Sequence, residues 1–142
     1  MVRVYRGESH LLSKIVGPFE RLLYRLCRID AQEDMNGKRY LGSLLLFSFF
    51  GMMAVFLLQI FQHLLPFNPA SLPDVPWLLA LNTAVSFMTN TNWQSYGGES
   101  TLSYLTQMLG LGVQNFVSAA SGMAVLVALI RGFSRKCTET LG

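Results

Sequence analysis

Between Leu41 and Ile130 the chain carries no lysine and no arginine, and its only acids there are Asp74 and Glu99. A soluble domain holds about 25% charged residues, against 13% over this whole chain. The charges are also segregated. Arg3, Arg6, Lys14, Arg21, Arg25, Arg28, Lys38 and Arg39 precede the apolar stretch, and Arg131, Arg135 and Lys136 follow it. This is the pattern of a membrane-embedded middle between two basic flanks. The positive-inside rule then places both ends in the cytoplasm, which requires an even number of crossings. A nucleic-acid interface is not indicated, because the basic residues are not interleaved with exposed aromatics on one compact domain. Cys27 and Cys137 both fall on the reducing side and read as inert thiols, without metal or disulfide spacing. The first apolar run of spanning length begins only at Leu41, so no secretory signal is visible.

The fold expected is an all-α membrane protein: two transmembrane helices flanking a re-entrant pore helix and filter loop, preceded by a short amphipathic interfacial helix. Residues 1–40 form the cytoplasmic N-terminal segment. Within it a helix over about 18–29 opens at Gly17-Pro18, and Phe19, Leu22, Leu23, Leu26 and Ile29 recur at helical spacing opposite Arg21, Arg25 and Arg28. Such a helix suits the lipid interface or packing on the same protein. Residues 41–65 make the first span, roughly 37 Å at 1.5 Å per residue, enough to cross with some tilt. His63, near its outer end, reads as an interfacial residue without an acidic partner. After a proline-rich outer loop, Asp74 is a candidate N-cap for a helix over 76–88. That helix is roughly 20 Å long, too short for a hydrocarbon core about 30 Å thick, so it must dip in and stop. Residues 101–130 form the second span. Gly110 and Gly112 suggest a bend or a thin point in it, Gln114 and Asn115 are amides suited to bonding between helices more than to direct ion contact, and Ser118, Ser121, Gly122 and Ala124 offer a small-residue packing surface. Residues 131–142 are a cytoplasmic tail.

The polar hexapeptide Thr89-Asn90-Thr91-Asn92-Trp93-Gln94 lies between the short helix and the second span. Backbone-competing polar residues do not sit in lipid unless protein or water surrounds them. A pore that dehydrates a potassium ion must replace water by carbonyl or hydroxyl oxygens at fixed separation. Asn90 and Asn92 can adopt the left-handed backbone for which potassium channels use glycine. Thr89 and Thr91 add hydroxyls, Trp93 is expected to pack behind the strand, and Gln94 to brace it or line the entrance. No carboxylate lies in the hexapeptide, which favours selection by neutral dipoles. The candidate ion ligands are therefore Thr89, Asn90, Thr91, Asn92 and Gln94.

The run Leu79 to Phe87 with Thr89 to Tyr96 closely resembles the potassium-binding A subunit of the Kdp potassium-transporting ATPase. So do Gly98 to Tyr104, Val113-Gln114-Asn115-Phe116 and Ser118 to Gly122. More weakly, so do Glu20 to Arg25, Met35-Asn36, Tyr40 and Leu41, and together these cover the chain from about residue 17. The resemblance implies a subunit of four helix–pore loop–helix repeats in the bacterial inner membrane, with potassium as the transported ion. It implies as partners a P-type ATPase catalytic subunit, which hydrolyses ATP, and small accessory membrane subunits. This chain holds one pore unit, and its charged residues 1–14 stand where the family has an apolar helix. It is therefore expected to be a first-repeat fragment that needs the remaining pore repeats and the lipid bilayer, with no catalysis of its own. The alternatives are a homotetrameric two-span potassium channel, or a non-transporting membrane remnant that only packs against partners.

Overall fold

The computed structural model describes residues 17–18, 21–22, 24–26 and 35–134. In the unit spanning residues 1–34 the described residues are helical, the Arg21 Nε donates to the Gly17 carbonyl at 3.3 Å, and Leu22 and Leu26 are exposed. The rest of the helix expected over 18–29, and the tail beyond residue 134, lie outside the described residues.

In the second unit every described element is helical. The first helix, α1, covers Gly37–Ile60 (24 residues) and begins earlier than expected. The reason is local: the Asn36 side chain accepts the Arg39 backbone N–H at 2.9 Å, an N-cap that ties down one of the first-turn donors. A short 3₁₀ turn, Gln62–Leu64, follows. The outer loop is closed by Asn68, whose carboxamide donates to the Leu72 carbonyl and accepts the Leu72 N–H, both at 2.9 Å.

Helix α2 is Trp77–Met88, 12 residues. Asp74 does not cap it. The Asp74 Oδ1 instead lies 2.6 Å from the His63 Nδ1 and accepts the His63 N–H at 3.2 Å. His63 therefore has the acidic partner it was expected to lack, because the outer loop folds back onto the end of α1. On α2, Ala80, Thr83, Ala84 and Phe87 are buried, one stripe at helical spacing. They face the matching stripe of α1, where Val55 and Gln59 are buried and Met52 and Phe56 partly so. Ala80 and Ala84 let the two backbones approach closely.

Helix α3, Gly98–Thr101, is a single turn. The chain is then extended at Leu102, so the second span is not one continuous helix from residue 101. Ser103 restarts it, its hydroxyl 2.9 Å from that of Thr106 and 3.4 Å from the Thr106 N–H, a capping arrangement. The span opens with a π-helical segment, Thr106–Gly112, and continues as α4, Val113–Ser134. Gly110 and Gly112, where a bend was expected, thus lie in a widened helical segment, a form that occurs frequently at functional sites.

Gln62 joins these pieces at the outer end. Fully buried, it donates to the Pro73 carbonyl and, at 2.9 Å, to that of Thr101, and it accepts the Ser103 N–H at 3.1 Å. Gln59, also fully buried, donates to the Ala80 carbonyl at 3.1 Å and links α1 to α2.

Two helices, Gly37–Ile60 and Thr106–Phe133, are long and apolar enough to cross a membrane. Their outward faces are covered with large apolar side chains: Leu45, Leu46, Phe47 and Phe50 on α1, and Phe116, Met123, Leu126 and Phe133 on α4 are exposed. Apolar surface on this scale requires lipid or protein to cover it.

Candidate functional site

The carboxyl end of α2 hands the chain directly to the polar segment, and the two are stitched together. The Thr89 N–H donates to the Val85 carbonyl at 3.0 Å and the Asn90 N–H to Phe87 at 3.3 Å. Both the Thr91 and Asn92 N–H groups then turn back to one acceptor, the Ser86 carbonyl, at 2.9 and 3.3 Å. The buried Ser86 hydroxyl holds the far end by donating to the Trp93 carbonyl at 2.9 Å. With the Thr89 hydroxyl, 3.3 Å from the Ser86 carbonyl, one residue of α2 therefore binds four positions of the segment.

Reversal of the chain over so few residues demands unusual backbone angles, and these occur at Asn90 (φ 57°) and Asn92 (φ 55°). Asparagine is the non-glycine residue, with aspartate, that enters this left-handed region most readily. The backbone expectation drawn from the sequence is met at both positions. With the N–H groups directed towards α2, the carbonyls of Thr89, Asn90, Thr91 and Asn92 accept no hydrogen bond among the described residues. That leaves four consecutive backbone oxygens open to another ligand.

The threonines are paired. The Thr89 hydroxyl lies 3.0 Å from the Val85 carbonyl and 2.9 Å from the Thr91 hydroxyl. With the Thr89 proton on Val85, Thr91 is the donor between them, and the Thr91 oxygen keeps both lone pairs open. All of Thr89, Asn90, Thr91, Asn92 and Gln94 are exposed. The structure brings the first four together, whereas none of the hydrogen bonds that tie the segment to its helices involves Gln94. Trp93 is 57% exposed and so does not pack behind the strand within this chain. It borders an open hollow of about 520 Å³ with Leu78, Leu81, Val85 and Thr91.

Two contacting residues escaped sequence reasoning as members of the site. Ser86 is the anchor just described. Asn115 was read as an amide for bonding between helices, but its Oδ1 accepts from the Asn92 Nδ2 at 3.0 Å. Nearby, the Ser118 hydroxyl donates to the Asn115 carbonyl at 3.1 Å and lies 3.4 Å from the Asn90 Oδ1. The available signal was depth. Asn115 and Ser118 are polar residues a helical turn apart on a span, at the level a short re-entrant helix reaches. Gln114, the neighbouring amide, lies instead against α1, where a Cβ on Gly51 would meet its Oε1 at 2.6 Å.

The electrostatics are those of neutral dipoles. No acid or base lies between Asp74 and Glu99, so charge at the segment comes from the negative end of the α2 dipole and from the unpaired carbonyls. Oriented oxygens of this kind suit a desolvated monovalent cation.

Residues 1–142, the whole chain, match the family described as the potassium-transporting ATPase A subunit (KdpA). The match includes residues 1–16, which the motif resemblance had left out. Over 142 residues the chain is 56% identical to the potassium-transporting ATPase potassium-binding subunit of Sorangium cellulosum, 58% to that of Brucella anthropi and 59% to that of Methylorubrum extorquens. All of this chain is covered in each case, but only 24–25% of the relative. The chain thus spans about a quarter of the length of the relatives it matches.

Proposed function

Because the chain belongs to the potassium-transporting ATPase A-subunit family, we propose that residues 89–92 form one strand of a potassium-selective filter. The chain then serves potassium binding and selection as one of four pore repeats in an ATP-driven uptake complex of the bacterial inner membrane. ATP hydrolysis falls to a separate P-type catalytic subunit, small membrane subunits complete the complex, and both flanks of this pore unit face the cytoplasm.

One observation carries the reading: the two left-handed asparagines and the paired return of the Thr91 and Asn92 N–H groups to Ser86 leave four consecutive carbonyls unpaired among the described residues. A potassium ion loses its water only where oxygens replace it at fixed separation. Ser86 and Asn115 supply the fixing, the carbonyls and the Thr91 hydroxyl the oxygens. α2 supports this by directing its negative end towards the segment. A single strand cannot surround an ion, so the remaining ligands come from the other repeats of the complete subunit, to which the exposed face of the segment is open.

The test is substitution of Asn90 in the complete subunit, assayed by potassium uptake and by inhibition with sodium. Asn90→Leu forces a γ-branched side chain into the left-handed region, at a backbone cost of roughly 1–2 kcal/mol. It is expected to weaken potassium affinity by about tenfold, the equivalent of about 1.4 kcal/mol, and to reduce discrimination against sodium. Asn90→Gly keeps the backbone angle and is expected to retain most of both. Unchanged affinity and discrimination in Asn90→Leu would remove the assignment.

A further inference from the structure

We propose that Asn115, on the second span, is a positioning residue for ion selection: it holds the segment in register from a second helix by bonding the Asn92 carboxamide. The inference rests on the filter reading above and adds a brace from another helix. α2 restrains the backbone of the segment through Ser86, at its N–H groups and at the Trp93 carbonyl. Nothing in α2 bonds the side chains of Asn90 or Asn92. Those two residues carry the left-handed backbone, and they are the two whose carboxamides reach the second span. The Asn92 Nδ2 donates to the Asn115 Oδ1 at 3.0 Å, a bond of ordinary length. The Asn90 contact is weaker. Ser118 has a single proton, it lies 3.1 Å from the Asn115 carbonyl and 3.4 Å from the Asn90 Oδ1, and the shorter bond takes precedence. Asn115 is therefore the brace, with Ser118 beside it.

The position of Asn115 is itself determined by the helix that carries it. The preceding residue, Gln114, is buried against Gly51, near the middle of α1, where even a Cβ would intrude. On the outer side, the π segment Thr106–Gly112 is moored by the Gln107 Nε2, which donates to the Gly98 and Leu102 carbonyls at 3.1 and 2.9 Å. The rotation of α4 about its axis is thus held on both sides of the residue that meets the filter. A rotation by one residue, about 100°, would carry Asn115 away from Asn92.

A brace that acts through Asn92 makes a prediction that general structural support does not. In the complete subunit, with the rest of the complex present, Asn115→Ala is expected to lower the ratio of potassium to sodium affinity about five- to tenfold, the effect of losing one hydrogen bond. Asn92→Gly removes the partner carboxamide while permitting φ of 55°. In that background Asn115→Ala is expected to produce no further change, since coupled residues are not additive. Effects that add in the double variant, or no change in discrimination in Asn115→Ala, would overturn the proposal. Should Asn115→Ala assemble poorly, Asn115→Ser serves the same cycle. Asn90→Leu is measured alongside: loss of discrimination there with none in Asn115→Ala rejects the brace alone, whereas no change in either rejects the filter itself.

Discussion

Asparagine at positions 90 and 92 combines two properties that glycine cannot. It tolerates the left-handed angle, at a cost smaller than most side chains incur, and it carries a carboxamide that can be held from a distance. At Asn92 the second property is used fully, through Asn115. Both asparagines were legible in the sequence because backbone preference is a property of the residue itself. The contact to Asn115 was not, since it joins residues 23 apart whose register depends on how two helices pack. His63 and Asp74 show the same limit at the outer surface. Eleven residues separate them, and only the folded loop brings them within 2.6 Å. The Asp74 carboxyl is held below its ordinary 3.8 chiefly by the hydrogen bond from the His63 side chain. Partial loss of water opposes this, while the His63 backbone N–H and the imidazole charge add to it. A depressed carboxyl stabilises the fold above its unfolded value and loses that contribution as pH falls through the lower, folded value. The tether is therefore expected to be intact above about pH 4 and to release below it. Thermal midpoints of the complete subunit taken between pH 5 and pH 3 check this: Asp74→Asn should show a smaller acid-side fall than the wild type.

At the level of the elements, composition and length were sufficient for the short helix. Twelve residues of α2 cannot cross a bilayer, and the stripe of Ala80, Ala84 and Phe87, with Thr83 among them, is visible in the sequence. The second span was less legible. An apolar run gives no sign of where its helix restarts, so the extended Leu102, the cap at Ser103 and the π segment were not foreseen beyond a bend at the glycines. What organises that region is a side chain at the far end of the first span. Gln62 uses its two N–H donors and its oxygen to hold the outer loop, the end of α3 and the start of the second span. A buried glutamine with all three bonds made is worth little more than an apolar residue, but its removal leaves two carbonyls and one N–H unpaired. Each such group costs about 1–3 kcal/mol. Gln62→Leu is expected to destabilise the subunit by about 2–4 kcal/mol, read as a lower unfolding midpoint in detergent. Potassium affinity should fall less than in Asn90→Leu, because Gln62 bonds the scaffold and not the filter strand. A midpoint within error of the wild type would show that the outer junction is held by apolar packing alone.

Over the whole second unit, polarity is distributed in an order opposite to that of a soluble fold. Gln59, Gln62, Thr83, Ser103 and Thr106 are buried, while Phe47, Phe50, Phe116 and Phe133 face outwards. Buried amides whose nitrogens are bonded and exposed phenylalanines that are not covered make sense together only if the outer solvent is apolar. The two long helices are also antiparallel, since Tyr40, Leu41 and Leu44 from the start of α1 and Ala128, Leu129 and Phe133 from the end of α4 line one apolar cavity of about 310 Å³. Lys38 and Arg39 immediately precede the α1 residues of that cavity, and Arg131 immediately precedes Gly132, one of its α4 residues. The His63–Asp74 pair and the Asn68 loop lie towards the opposite ends of both helices. Basic residues gathered at one end, with two crossings between them, predict a specific labelling pattern. With Cys27 and Cys137 replaced, a single cysteine at Asn68 or Glu99 should react with an impermeant thiol reagent added outside intact cells. A cysteine at Lys38 or Arg131 should react only after the membrane is opened. External labelling at one of residues 38 and 131 but not at the other would require an odd number of crossings. The short helix would then have to pass through the bilayer, which its 12 residues do not allow, so that outcome would overturn the re-entrant arrangement on which the filter reading depends.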